Sequence, residues 1–257
     1  MRILIRTSKW AVWARRFGAL ALPLAIIPVL LHRGNVISSE NFFTIELAAM
    51  AFAAFAVAAA LVAFVRLWFT GDQGWSRAAI AFVFGLICLL PAAFFFWQST
   101  SVPASPDVST DFSSPPPLVS FIEARFIGPE ERGRIEAAYP NARSRNYPIE
   151  APQMFTVVED LLDTYGWDMR ARRAPLSAVD NGQLNAVVTT LLGFRQEVAI
   201  RITGGADGTT IDMRSASLSG FPDFGENGQR VEAFLLELDN RVTQMLRNAP
   251  AAPTTAD

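Results

Sequence analysis

Residues 78–97, AAIAFVFGLICLLPAAFFFW, form a twenty-residue run without a single charge. A bilayer core of about 30 Å needs roughly 20 apolar residues in a helix, so this run reads as a membrane span. Residues 47–65 are also charge-free and lie between Glu46 and Arg66. Residues 17–31 give a third, shorter run, which Trp10, Val12 and Trp13 lengthen if Arg15 and Arg16 snorkel to the interface. Three helices are therefore expected, at about 11–31, 47–67 and 78–97. A cleaved signal peptide is the rival reading of the first, but His32-Arg33-Gly34 follows Leu31 where a small-residue cleavage site would stand.

Charge divides the chain at the same place. Residues 1–97 carry eight Lys/Arg against three Asp/Glu, and residues 98–257 carry fourteen against twenty-one. The flanks order the spans. Arg2, Arg6, Lys9, Arg15 and Arg16 precede the first, Arg33 alone lies in the first loop, Arg66 and Arg77 lie in the second, and none follows Trp97 until Arg125. The positive-inside rule then expects a cytoplasmic N-terminus and a periplasmic C-terminal domain at a bacterial inner membrane. Pro23, Pro28 and Pro91 could kink the spans. With no charge in mid-span, the helices read as an anchor in the lipid bilayer.

The only cysteine, Cys88, and the only histidine, His32, both fall in the first 97 residues. The C-terminal part thus has no thiol nucleophile, no serine–histidine triad and none of the usual zinc ligands. No catalytic residue, metal site or cofactor is legible there. The acidic balance also argues against nucleic acid.

Residues 98–117, rich in Ser and Pro, read as an extended tether. A soluble domain over 118–246 and a disordered tail at 247–257 complete the expected division. Pro152 opens a helix with an apolar face of Met154, Phe155, Val158, Leu161, Leu162 and Tyr165, and Gly166 ends it. Strand-like segments follow at 167–173, 183–192, 194–203 and 209–217, with a glycine-rich hairpin loop at 204–208. Val198, Ile200, Ile202, Ile211 and Met213 alternate with Glu197, Arg201, Asp212 and Arg214, giving one apolar and one charged face. A last helix starts near Asp223, which has capping-box spacing with Glu226. The fold class expected is α+β, with an antiparallel sheet of about four strands covered on one face by helices.

From Asp107 to about Val242 these residues resemble a family of bacterial membrane-associated proteins, the domain of unknown function numbered 1499. Ser109-Thr110-Asp111 before the proline run, Ala138-Tyr139-Pro140 and Gly166-Trp167 carry part of the resemblance. Gly193-Phe194-Arg195 through Arg201, then Asp212-Met213-Arg214-Ser215-Ala216-Ser217, carry more. Gly220, Asp223, Gly225, Asn227 and Arg230 follow at the family's spacing. Gln196-Glu197 stands where the family has paired aspartates, and Leu218 where it has arginine. The resemblance implies location and fold rather than an activity.

Two constellations are candidates for binding. Glu197, Arg201, Asp212 and Arg214 could form an anion or carboxylate site, or could be cross-strand ion pairs on a solvated face. Ser215, Ser217, Gly220, Asp223, Gly225 and Asn227 could hold an anion at a helix N-terminus, or could simply build the turn and cap. Trp167, Phe194, Phe221 and Phe224 could line a sugar or lipid pocket, though aromatics at strand ends are more often core. The reading preferred is a non-catalytic binding or protein-interaction module for an envelope partner, with Arg201, Arg214 and Asn227 as polar anchors. A periplasmic lipid or small-ligand binder and a carboxylate-dependent hydrolase are the alternatives.

Overall fold

The computed structural model of the chain describes residues 6–101, 103, 105–120, 127–219 and 223–248. Two units result: residues 1–101 with Leu191–Phe194, and the remainder.

The first unit holds α1 (Lys9–Arg33), α2 (Ser39–Thr70) and α3 (Trp75–Ser101). All three are long and apolar enough to cross a membrane. The helices run through Pro23, Pro28 and Pro91, and α2 starts eight residues before the expected span. Ser38 caps α2 by accepting from the Asn41 N–H at 3.3 Å, and Gly71, at φ 68°, ends it. Helices in lipid gain no hydrophobic drive from meeting each other, so they associate where small side chains let the backbones close up. That is the arrangement here. Ala11, Ala14, Ala59, Ala60, Ala63 and Ala81 are buried between the helices, while Leu30, Trp68, Phe69 and Leu90 point outward. A Cβ on Gly85 would stand 2.6 Å from Val57 and 2.9 Å from the Ala53 carbonyl, so α3 meets α2 at a spot only glycine fits. Within this unit the His32 ring stacks on Phe42, and its Nδ1 lies 2.7 Å from the Leu192 carbonyl oxygen. A carbonyl can only accept, so Nδ1 carries the proton.

The second unit is a six-stranded antiparallel sheet with three helices. Its strands are β1 (Asp107–Ser109), β2 (Arg145–Tyr147), β3 (Asp168–Arg173), β4 (Asn181–Thr189), β5 (Arg195–Gly205) and β6 (Gly208–Ser217). Its helices are α4 (Pro129–Ala138), α5 (Ala151–Tyr165) and α6 (Glu226–Asn248). The order is β1-β6-β5-β4-β3, and β2 shares the outer edge of β6 with β1. The four long strands match those legible in the sequence, and β1 and β2 raise the count to six. Arg201 lies opposite Asp212 and Arg214 opposite Ala199. The glycine-rich loop shrinks to a two-residue turn, because Gly205 already pairs with Gly208.

One face of the sheet builds the core. Leu184, Val198, Ile200, Ile202, Ile211 and Met213 meet Met154, Phe155, Val158 and Leu161 of α5 and Val231, Phe234, Leu235 and Leu238 of α6. Burying a large aliphatic side chain contributes about 1.5–3 kcal/mol, so this shared layer is the main source of the unit's stability. The residues at 98–117, which read as a tether, instead supply the end of α3, then β1, then a strap across the sheet's other face. The tail expected at 247–257 lies outside the described residues, apart from Arg247 and Asn248 at the end of α6.

Candidate functional site

The strap explains the charged face. Residues 111–120 cross β6, β5 and β4 and are tied at each one. The Arg214 guanidinium grips Asp107 of β1 through two bonds of 2.9 and 2.6 Å, and also reaches the Pro116 carbonyl at 3.4 Å. Arg201 donates to Asp212 at 2.7 Å, to Asp111 at 3.0 Å and to the Ser114 carbonyl at 2.8 Å. Gln183 and Asn185 of β4 both donate to the Pro117 carbonyl, at 2.9 and 3.0 Å. A proline run has carbonyl acceptors but no N–H groups, so it suits a face whose side chains are mostly donors.

Glu197 closes the strap from the other direction. Its carboxylate, fully buried, accepts from the Val119 N–H at 2.6 Å, the Ser120 N–H at 2.9 Å and Asn185 Nδ2 at 3.0 Å. The structure therefore brings Arg201 and Asp212 together, and places Glu197 and Arg214 on other partners. The face is buried beneath the strap: Glu197 and Ala199 are 0 % exposed and Asp212 4 %. That departs from a solvated face of ion pairs. Desolvation raises the Asp111 carboxyl, but the Ser114 and Ser113 N–H groups and Arg201 outweigh it and hold it below the usual aspartate range.

The second constellation is a buried pin at the start of α6. Asn227 uses all of its amide. Oδ1 accepts from Ser215 at 2.7 Å and from Arg230 at 3.2 Å, while Nδ2 donates to Ser217 at 3.2 Å and to the Pro106 carbonyl at 3.3 Å. The helix begins at Glu226 rather than at Asp223, yet Asp223 still caps it, accepting from the N–H groups of Asn227 at 2.7 Å and Gly225 at 3.1 Å. Burial raises the Asp223 carboxyl above its ordinary value against the pull of those N–H groups and of Arg230. Burial likewise raises Glu226. Gln196 is buried and donates to Glu226 at 3.4 Å, while its Oε1 has no partner among the described residues. Gly228 lets Tyr139 lie against the helix, since a Cβ there would be 2.3 Å from the ring. Gly220 and Phe221 lie outside the described residues. Trp167 stacks on both Tyr165 and Phe234 in the sheet unit, and Phe194 packs with Phe42 and Phe43 in the helical unit.

A cleft lies beside α4 that no sequence pattern announced. It has a volume of about 380 Å³ and is lined by Thr110, Phe112, Arg132, Glu136, Tyr139, Ala142, Arg143 and Ser144. Arg132 bonds Glu136 at 2.7 Å and lies 5.4 Å over the Phe112 ring. At the floor, Thr110 and Ser144 donate their hydroxyls to Asp212 Oδ1, at 3.3 and 2.5 Å. Arg201 thus compensates Asp212 from one side and two hydroxyls do so from the other. Arg143 is exposed, with no ion pair among the described residues. Gly128-Pro129-Glu130-Glu131 is a helix-start pattern that could have revealed α4. Nothing in the local sequence places Phe112 or Arg143 beside it.

A family model described as a protein of unknown function, DUF1499, matches residues 107–238. The chain belongs to the DUF1499 family. The matched region opens at β1 and ends within α6, so the strap, the clamp residues and the cleft are all parts of the DUF1499 domain. None of the curated proteins and none of the solved structures matches the chain.

Proposed function

We propose that this is a membrane-anchored protein whose DUF1499 domain is a non-catalytic binding module, presenting the cleft beside α4 to a partner in the cell envelope. One observation carries the reading. The polar groups that were candidates for binding a ligand, namely Glu197, Arg201, Asp212, Arg214, Asp223 and Asn227, have the chain's own groups as partners. They act by holding the strap and the start of α6, while Arg143, which makes no ion pair among the described residues, lies at the cleft. The absence of Cys and His beyond residue 97 supports a module without nucleophilic or zinc chemistry. Arg2, Arg6, Lys9, Arg15 and Arg16 around the start of α1, with Arg66 and Arg77 in the neighbouring ends of α2 and α3, against Arg33 alone at the other turn, support an extracytoplasmic domain.

A photo-reactive amino acid at Ala142, on the cleft, tests the reading in intact cells, with one at the exposed Asp160 of α5 as control. A discrete product from position 142 that position 160 lacks is expected. Identical patterns from both positions, or none from either, refute it. For the side of the membrane, a Ser177→Cys, Cys88→Ala protein is exposed to an impermeant maleimide on intact spheroplasts. Labelling is expected; labelling only after lysis places the domain in the cytoplasm.

A further inference from the structure

We infer that the cleft beside α4 takes a small oxyanion, a phosphate or carboxylate group carried on a compact apolar body, with Arg143 as its main charge partner. This deepens the binding-module reading and rests on it. A volume of about 380 Å³ is at the lower end of small-molecule sites and equals roughly a dozen waters at about 30 Å³ each, room for one ring and its anionic group.

The lining sorts into three kinds of group. Phe112, Tyr139 and Ala142 form an apolar wall. Arg132 and Arg143 bring two guanidiniums against the single carboxylate of Glu136, so the cleft keeps one positive charge in excess. Arg132 is already held by the Phe112 ring and by Glu136, so little freedom remains to be lost when a ligand arrives. Its Nε bonds Glu136, which leaves its other N–H groups for a ligand. Guanidinium is also the side chain best matched to planar or tetrahedral oxyanions.

The floor decides where the anion sits. Thr110 and Ser144 turn their hydroxyl protons toward Asp212, so they offer lone pairs rather than donors to the cleft. An anion is refused there and directed to the guanidiniums, while a hydroxyl or amine on the same ligand can donate to Ser144. Asp212 itself is 4 % exposed and takes both hydroxyls, and Arg201 divides its charge between Asp212 and Asp111, so the anion is held at the guanidiniums and away from this carboxylate.

The test uses the full chain in nanodiscs of zwitterionic lipid, with phenyl phosphate as probe and saturation-transfer NMR as readout. Saturable binding is expected, with benzyl alcohol at least about tenfold weaker. Arg143→Gln should weaken phenyl phosphate by about tenfold while leaving the urea unfolding midpoint unchanged, and Arg143→Lys should recover part of the loss. Repeating the titration in discs containing phosphatidylglycerol separates two sources of the anion. Loss of probe binding there assigns the site to a lipid headgroup, and retention assigns it to a soluble anion. No saturable binding in either disc, or equal binding by Arg143→Gln, overturns the inference. A missing cross-link at Ala142 with phenyl phosphate still bound removes the protein partner and leaves the anion site; a cross-link without probe binding removes the anion alone.

Discussion

Replacing Glu197 by glutamine changes one oxygen into an NH₂ and nothing else in shape. In the native protein three N–H donors converge on the buried carboxylate, two from the strap backbone and one from Asn185. Glutamine can keep its carbonyl toward Val119 and Asn185, but then its NH₂ meets the Ser120 N–H, donor against donor. A hydrogen bond to a charged group contributes about 1.5–3 kcal/mol, and one between neutral groups about 0.5–1.5 kcal/mol. Losing one bond and weakening two, less the burial penalty a neutral amide avoids, leaves a destabilisation of about 3 kcal/mol. With a urea dependence of about 2 kcal/mol per molar, the unfolding midpoint of the domain falls by about 1.5 M. Pulse proteolysis of the full chain in detergent reads that midpoint. Chymotrypsin should also cut faster after Leu118 under native conditions, because the strap is loosened at its far end. A midpoint within about 0.3 M of the parent, with unchanged cutting, refutes the idea that this carboxylate clamps the strap.

Arg201→Lys retains the charge but cannot serve Asp212, Asp111 and the Ser114 carbonyl together, so a loss of about 1–2 kcal/mol is expected in the same assay. Tyr147→Phe removes the 2.6 Å bond to Asp239 and should cost about 1–2 kcal/mol, again read as the urea midpoint. For Asp223 the folded carboxyl lies above its unfolded value of 3.8, so the folded state favours the protonated form. Its contribution is full below that value and is lost as pH rises through the folded pKa. The stability of the parent relative to Asp223→Asn should therefore be greatest in acid and fall as pH rises, and a difference that grows with pH is the wrong sign. Gly85→Val would drive a side chain into Val57 and the Ala53 carbonyl, and loss of the folded, detergent-extracted protein on size-exclusion chromatography is expected.

The long strands, their register and the apolar face were legible because a period of two is written in 198–202 and 211–213 with nothing to blur it. The three apolar helices were legible from length and charge alone. The strap was not. Asp107-Val108-Ser109 is too short to show a period, and its partners Arg214, Ser215 and Ala216 lie more than a hundred residues on. Nor was α4 evident, since Ile135 is the one buried residue of that helix and a single apolar position makes no pattern. For the candidate site, the sequence put Arg201, Asp212 and Arg214 in one charged set and left Asp107 unassigned, because side-chain alternation reports the face of a strand but not what crosses it. The cleft residues escaped for a related reason: Phe112, Arg132 and Arg143 come from three segments that only the strap and α4 bring together.

The pairing of β1 with β6 also sets an order of events during synthesis. β1 leaves the ribosome soon after α3, yet the strand it must join is finished only at Ser217. Until then the strap has nothing to lie on, and Glu197 and Arg214 have not been made. At the usual pace of about 5–20 residues per second, that wait lasts roughly five to twenty seconds. The nascent strap meets it with a segment of serines and prolines, a composition poorly suited to pairing with other strands. The proline run that later supplies acceptors to the finished sheet thus also protects the chain while the sheet is incomplete.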